Sequence, residues 1–422
     1  MKIATRIFTI SLLVVILSMS LTAAVAQEPV TLDLWIFEGE DQFLPAVIGA
    51  FQAEYPHITV QITDIPENEY VTKIDTALLA GEPPDLGYIY ERRWIVGGYF
   101  MPLDDMVNEQ VINIDDYNVG AMSQACLVEG SVYCIGTYTG AVLMFYNKDM
   151  FDAAGIPYPS ATEPMTIDEY ADMALQLTVQ SDNIEERIWG GDADATIWWM
   201  DARNFFSEDG RTAIDYINDE ATAHTHQVIA DMRAQGSVIS ATDASLVAGV
   251  DLLSTGQLAT SIIDNAVAVP QLEEAGINWG AAVPPVEQAG DLPWIPLWSD
   301  GLGVFTQSDT PEEAALFATF LGTVGNELRL EVIGDLPLNM SLAEEAGWAA
   351  ESAGRQEVLE AVQVARPPLF IPDYWGVLDP MNEAFSGLML EDGMSAQDAF
   401  NEIAPIVQDN LDEAWGTWDS IQ

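Results

Sequence analysis

From Val30 to Phe37 apolar and polar side chains alternate, the period of a strand with one buried face. Phe43–Tyr55 then places its apolar residues at helical spacing and stops before Pro56, and Ile58–Ile62 alternates again. Strand, helix and strand in that order open a doubly wound parallel sheet. Helical spacing returns over Tyr70–Ala80, closed by Gly81, and Pro83-Pro84-Asp85 leads into a third strand, Leu86–Tyr90. A continuous apolar strand is predicted at Ala141–Tyr146, followed by Asn147-Lys148-Asp149 and a short helix ending at Gly155. Beyond it, Asp168–Leu177, Ala221–Gln235 and Val247–Leu253 carry helical spacing, while Leu258–Ile263, Trp279–Val283 and Leu302–Thr306 read as strands. Thr310-Pro311-Glu312-Glu313 predicts a helix start for Ala314–Leu321, with Thr310 as N-cap and Glu313 three residues on. Helices at Gln356–Val364, Pro380–Leu390 and Ala396–Trp415 complete the chain. There are no repeats and no low-complexity linker, so the pattern predicts α/β structure throughout.

The first 26 residues break from this pattern. Lys2 and Arg6 precede an apolar run from Ile7 to Leu21 and the small residues Ala24-Val25-Ala26, the layout of a cleavable secretory signal. About fifteen apolar residues fall short of the roughly 20 of a spanning helix. Export to the periplasm or the extracellular space is therefore expected, with a mature chain starting near Gln27. No cysteine lies near the cleavage site, so a lipid anchor is not expected. The 396 residues after position 26 of the 422-residue chain are enough for two domains.

Charge narrows the partners. Against 67 Asp and Glu stand 13 Lys and Arg, a net charge of −54 that becomes −56 without Lys2 and Arg6. Such a surface repels nucleic acid and anionic headgroups. Apolar content of 49% sets the chain apart from disordered acidic tails. Adaptation to high ionic strength and ordinary acidic drift account for this balance equally well. The two cysteines, Cys126 and Cys134, face each other if Glu129-Gly130-Ser131 forms a three-residue hairpin loop, and in an oxidising compartment they are expected to pair.

Several segments resemble the extracytoplasmic sugar-binding proteins of ABC importers, the solute-binding family that includes maltose-binding protein. Thr31–Trp35 with Phe51–Val60 looks like that family's opening strand, helix and second strand, and Ala77–Asp85 like its helix end and proline-aspartate turn. Tyr146-Asn147-Lys148-Asp149 with Phe151 and Ala154-Gly155-Ile156 is the closest match; Gly256–Ala259 and Ser308–Leu321 follow in order. Where relatives commonly carry a proline, this chain reads Cys134-Ile135-Gly136-Thr137, so the first crossing between lobes departs from the pattern. The resemblance implies an α/β, two-lobed periplasmic-binding-protein fold of type II. Each lobe would be a doubly wound, mostly parallel sheet of discontinuous segments, with the ligand cleft between them. It places the crossings near Gly140, Ala282 and Asp335, with lobes of 27–139 plus 284–334 and 141–281 plus 336–422. A monomer without cofactors, delivering a carbohydrate to membrane permease subunits, is expected.

Sugars present hydroxyls that need paired donors and acceptors, and C–H faces that pack on aromatic rings. Aromatic residues beside polar groups at strand ends are therefore the candidate ligand contacts. After the first strand these are Trp35, Glu38 and Glu40; after the third, Tyr90, Glu91 and Arg92, where a guanidinium fork suits vicinal hydroxyls or a carboxylate. Tyr138 and Thr139 lie at the first crossing, and Asp192, Trp198 and Trp199 combine carboxylate with rings. Asn265 offers both a donor and an acceptor. Trp298, Asp300, Tyr374 and Trp375 complete the set.

Catalytic motifs are absent. His224 and His226 are two apart and do not share a helix face, and His57 is remote, so no metal is expected. No Gly-x-Ser-x-Gly, Walker loop or complete dinucleotide fingerprint occurs. The competing readings are a secreted glycoside hydrolase, which needs only two of the many carboxylates, and the same binding fold holding a noncarbohydrate solute such as a phosphorylated polyol.

Overall fold

The computed structural model describes residues 28–37, 43–108, 112–123, 126–192, 205–239, 243, 247, 252–292, 295–365, 369–391 and 393–421. Among these are ten strands, eight in two four-stranded sheets and two in a separate hairpin. They are β1 Val30–Phe37, β2 Ile58–Ile65, β3 Leu86–Tyr88, β4 Leu127–Val128, β5 Ser131–Val132, β6 Gly140–Asn147, β7 Thr260–Asp264, β8 Trp279–Ala282, β9 Leu297–Trp298 and β10 Leu302–Val304.

The first sheet has the order β10-β3-β1-β2. Along β1 the alternation seen in sequence sends Leu32, Leu34 and Ile36 into the core. β2 and β3 run parallel to β1, whereas β10, contributed from far along the chain, runs antiparallel to β3. The intervening helix Glu67–Ala80 ends in Gly81 at φ 74°, a left-handed cap that glycine adopts without strain. The long helix Pro311–Val332 covers this sheet, with Phe317 and Phe320 packed edge-on to Phe51.

The second sheet is built round β6, which is buried along its whole length. Ala141, Leu143 and Phe145 join the core that continues from the first lobe, while Val142, Met144 and Tyr146 face the core of the second. β7, β8 and β9 all pair antiparallel to β6. A mostly parallel second sheet was expected, and topology explains the difference. β6 carries the chain out of the first lobe, and its neighbours carry it back. Among the described residues, parallel pairing in this region occurs as the isolated bridges Thr166↔Val286, Trp189↔Leu258 and Gly191↔Val238.

Local signals act where the sequence places them, with exceptions. Asn147 caps the helix Lys148–Ala154 by accepting from the N–H groups of Asp149 and Met150, and Gly155 closes it. Thr166 and Glu169 form a reciprocal capping box at the helix Ile167–Leu177. Thr310, expected to cap its helix through its side chain, does not; its hydroxyl turns instead to Asp85 Oδ1 at 3.4 Å. The helix Ala396–Ile421 runs past the predicted Trp415, and Tyr374–Asn382 passes into a π-helical stretch at Glu383–Glu391. Most of the helix predicted over Val247–Leu253 lies outside the described residues. Cys126 and Cys134 are bonded. Their hairpin pairs Val128 with Ser131, so its loop is the two residues Glu129-Gly130 and not three. Both loop residues have positive φ, as a two-residue hairpin turn demands.

Candidate functional site: a cleft between two lobes

The segment Ile135–Ala141 is held on both sides where it passes between the lobes. On one side Gly136 bridges to Gly301, and Gly140 and Ala141 pair with Trp298 and Leu297. On the other, Tyr138 bridges to Pro337, and the Thr139 N–H donates to Leu336 O at 2.9 Å. The Trp298 indole lies so close on Gly140 that a Cβ there would come 2.5 Å from Nε1; only glycine fits. Asp335, wholly buried, accepts from Arg329 Nε at 2.9 Å, and the same guanidinium stacks over the Tyr138 ring at 4.2 Å.

Above these crossings lies a cavity of about 1000 Å³. Phe37, Glu67 and Tyr90 through Arg93 form one wall, and Leu369 through Tyr374 with Glu413 and Trp418 form the other. Tyr138, Trp298, Ser299 and Asp300 make the floor. The walls pack on different cores, Phe37 on the first and Leu369 and Tyr374 on the second, and the short helix Arg92–Val96 touches the helix Ala396–Ile421 across the opening. Aromatic and ionisable groups alternate over this surface, as hydroxyl-rich, partly apolar ligands require.

The electrostatics follow from burial. The Tyr138 hydroxyl donates to Asp300 Oδ2 at 2.7 Å, and burial beside that carboxylate holds the phenol well above its usual range. Tyr90 donates to Glu67 at 3.4 Å and is pushed up to about 12, first by burial and then by Glu67. Burial also lifts Glu91 to about 7; Arg93, 3.7 Å away, opposes this, while Asp373 and Asp75 add to it. Arg93 itself is gripped by both oxygens of Asp75 at 3.0 and 2.8 Å. Arg92 lies instead over the Phe370 ring at 4.3 Å, a contact from one wall to the other. Behind the floor, burial and then the nearby Asp300 raise Asp264 to about 7, against the pull of hydrogen bonds from the Ala266 and Ala141 N–H groups.

The structure gathers Tyr90, Glu91, Arg92, Tyr138, Trp298, Asp300 and Tyr374 round this one cavity. Other candidates stand apart. Asn265 is fully buried, its Oδ1 accepting from the Ala141 N–H at 2.6 Å and its Nδ2 donating to Thr139 O at 3.1 Å. Its amide holds the crossing together and, being fully buried, is out of a ligand's reach. Thr139 is likewise buried and donates to Pro337 O. Trp35 donates to Asp33 on its own strand and is not among the lining residues. Asp192 Oδ2 accepts from the Ser261 hydroxyl, away from the cavity. Glu38, Glu40, Trp198, Trp199 and the Trp375 side chain lie outside the described residues. Sequence reasoning missed Phe37, Phe370, Asp373, Glu413 and Trp418. The rings of Phe370 and Trp418 meet at a tilt, 4.7 Å between centres, though they are 48 positions apart. Trp418 follows the periodicity of an amphipathic helix, which reads as core, and only the fold brings it to the cleft.

Residues 37–327, more than half the chain, match the model of the bacterial extracellular solute-binding protein family. A binding protein of Brucella abortus, named as putative, is 26% identical over 182 residues, 41% of this chain and 42% of its own length. The arabinooligosaccharide-binding protein of Halalkalibacterium halodurans is 26% identical over 188 residues, 43% of this chain and 41% of that one. The chain thus spans about two fifths of the length of the curated relatives it matches. Likeness of fold extends further. An ABC substrate-binding protein of Listeria monocytogenes in complex with cycloalternan superposes with a TM-score of 0.76 at 22% identity, covering 92% of this chain and all of the other. The maltose/maltodextrin-binding domain of Bdellovibrio bacteriovorus bound to maltotriose gives 0.70 at 21%, covering 90% and 98%. The fold is that of the two-lobed, type II periplasmic binding proteins.

Proposed function

This chain belongs to the bacterial extracellular solute-binding protein family, and we propose that it captures a sugar or oligosaccharide between its two lobes and delivers it unaltered to the permease subunits of an ABC importer. One observation carries this reading: a cavity of about 1000 Å³ whose opposite walls come from different lobes and pair aromatic rings with carboxylates. That volume is at the upper end of the roughly 300–1,000 Å³ of small-molecule pockets, room for more than one sugar ring. Ring stacking from Tyr90, Trp298 and Tyr374 and hydroxyl pairing from Glu91, Arg92 and Asp300 would hold the ligand. Because ligand groups touch both walls only when these approach, binding favours the closed arrangement. The arabinooligosaccharide, cycloalternan and maltotriose in the names of the similar proteins agree with a carbohydrate.

The lobes are assigned as 27–139 with about 301–334, and 141–295 with 336–422. We assign the second crossing to Pro296–Gly301, beyond the Ala282 expected from sequence; the hydrogen bonds that Val286 exchanges with Met165 and Ile167 support this reading. The protein is exported after loss of its first 26 residues and works as a monomer without cofactor or catalysis. A thermal-shift screen over mono- and oligosaccharides tests this: stabilisation with the sugar recovered intact supports it, whereas release of new reducing ends identifies a hydrolase, and no shift with any sugar removes the carbohydrate.

A further inference from the structure

Opposite charges are abundant in this chain, yet among the described residues one half-buried cation has no carboxylate within ion-pair distance. With 67 Asp and Glu for 13 Lys and Arg, every arginine has carboxylates to choose from. Arg93, Arg187, Arg211, Arg329 and Arg355 each make an ion pair, and Arg233 donates to the Ile239 carbonyl. Among the described arginines Arg92 alone has neither an ion pair nor a hydrogen bond to the protein, and its Nε is shielded from solvent. Leaving a guanidinium unpaired in a cleft is costly when a carboxylate could be placed beside it. Its position is also particular. The guanidinium carbon sits over the Phe370 ring, 4.3 Å from its centre, and a guanidinium packed on a ring in this way keeps its N–H fork free for a ligand. Such a fork can receive a carboxylate by two parallel hydrogen bonds.

The carboxylates of the same cavity do not fill this role. Glu67 accepts from Tyr90, Asp300 accepts from Tyr138, and Glu91 lies against Arg93. Asp373 acts on Glu91 and Arg93, and the charge that reaches Arg92 is that of Glu129, beyond ion-pair distance. In the floor of the same cavity, the Ser299 hydroxyl is buried without a hydrogen-bond partner among the described residues.

Resting on the carbohydrate reading above, we propose that the missing counter-charge belongs to the ligand: the solute is an acidic oligosaccharide, and Arg92 receives the carboxylate of a uronic acid unit. Arg92 is then the residue that selects sugar acids over neutral sugars, in a cleft that is otherwise repulsive to anions.

The test is calorimetric titration of the wild-type protein and of Arg92→Gln and Arg92→Lys with trigalacturonate, trimannuronate and an aldouronic acid, each beside its neutral counterpart, galactotriose, mannotriose or xylotriose. Melting curves of the free variants establish that they fold. The expected result is preferential binding of an acidic member, weakening as salt rises. Arg92→Gln should lower that affinity about 10- to 100-fold, the range for a hydrogen-bonded charge, and Arg92→Lys should lower it less. Neutral sugars binding as tightly as the acids, or an Arg92→Gln protein that binds uronates within twofold of wild type, overturns the assignment while leaving a sugar-binding protein. Binding of neither class overturns it together with the carbohydrate reading.

Discussion

Replacing Arg329 by methionine tests the account of how the lobes are joined. Asp335 is wholly buried and Arg329 nearly so, and the 2.9 Å contact between them ties the end of the helix Pro311–Val332 to the third crossing. The guanidinium also lies over Tyr138 at 4.2 Å and reaches Thr137 Oγ1 at 3.4 Å, both on the first crossing. Methionine keeps most of the side-chain volume but leaves a carboxylate without its cation in a dry site. Breaking such a pair from one side costs about 3–5 kcal/mol, most of it from the stranded charge. The double variant Arg329→Met/Asp335→Leu removes that charge and should recover most of the loss, because the pair itself returns little beyond its own desolvation. Urea unfolding at neutral pH gives both numbers. A single variant within about 1 kcal/mol of wild type, or a double variant no better than the single, would refute the reasoning that burial of a lone charge dominates here.

Three further outcomes follow from the same interactions. Asp264 has its carboxyl raised from 3.8 to about 7, so the folded state holds a proton that the unfolded state has released. Its contribution to stability is therefore complete below about pH 4 and lost as the pH rises to about 7; Asp264→Asn, which keeps an oxygen to accept from the Ala266 N–H, should flatten that part of a stability–pH profile, and an unchanged profile contradicts the assignment. Serine at Cys126 and Cys134 should lower stability by about 2–3 kcal/mol, the chain-entropy value for so short a loop, with reduction of the wild type giving the same loss. Alanine at Gly301 would put a Cβ 2.9 Å from both sulfurs and from Cys134 Cβ, a clash against the covalent staple, so the variant should melt well below wild type; equal melting points would show that the crossing yields there freely.

The elements were legible wherever burial imposes a period. β1 occupies the predicted residues because one of its faces is core, and the helices closed by Gly81 and Gly155 end where a left-handed cap must sit. Thr310 shows the limit of a local rule. Its sequence context promises a cap, but Asp85, just before β3, accepts from both the Ser308 and the Thr310 hydroxyls. Of the cavity lining, the residues that follow strand ends were legible in sequence, since that position itself faces the cleft: Tyr90, Glu91 and Arg92 after β3, Trp298 and Asp300 round β9. Asn265 satisfied the same rule, yet two backbone groups of the first crossing claim its amide. Phe370 and Trp418 were hidden for the opposite reason. An aromatic residue on a helix or in a loop carries no mark that separates a cleft wall from core, and only the packing of the C-terminal helix against Arg92–Val96 makes the difference.

The central claim is that a sugar is held by closing one lobe upon the other. Small-angle X-ray scattering of the protein alone and saturated with its best oligosaccharide reads that motion directly. The account predicts a smaller radius of gyration and a shorter maximum dimension with ligand. Superimposable profiles, with binding confirmed calorimetrically in the same sample, would contradict it.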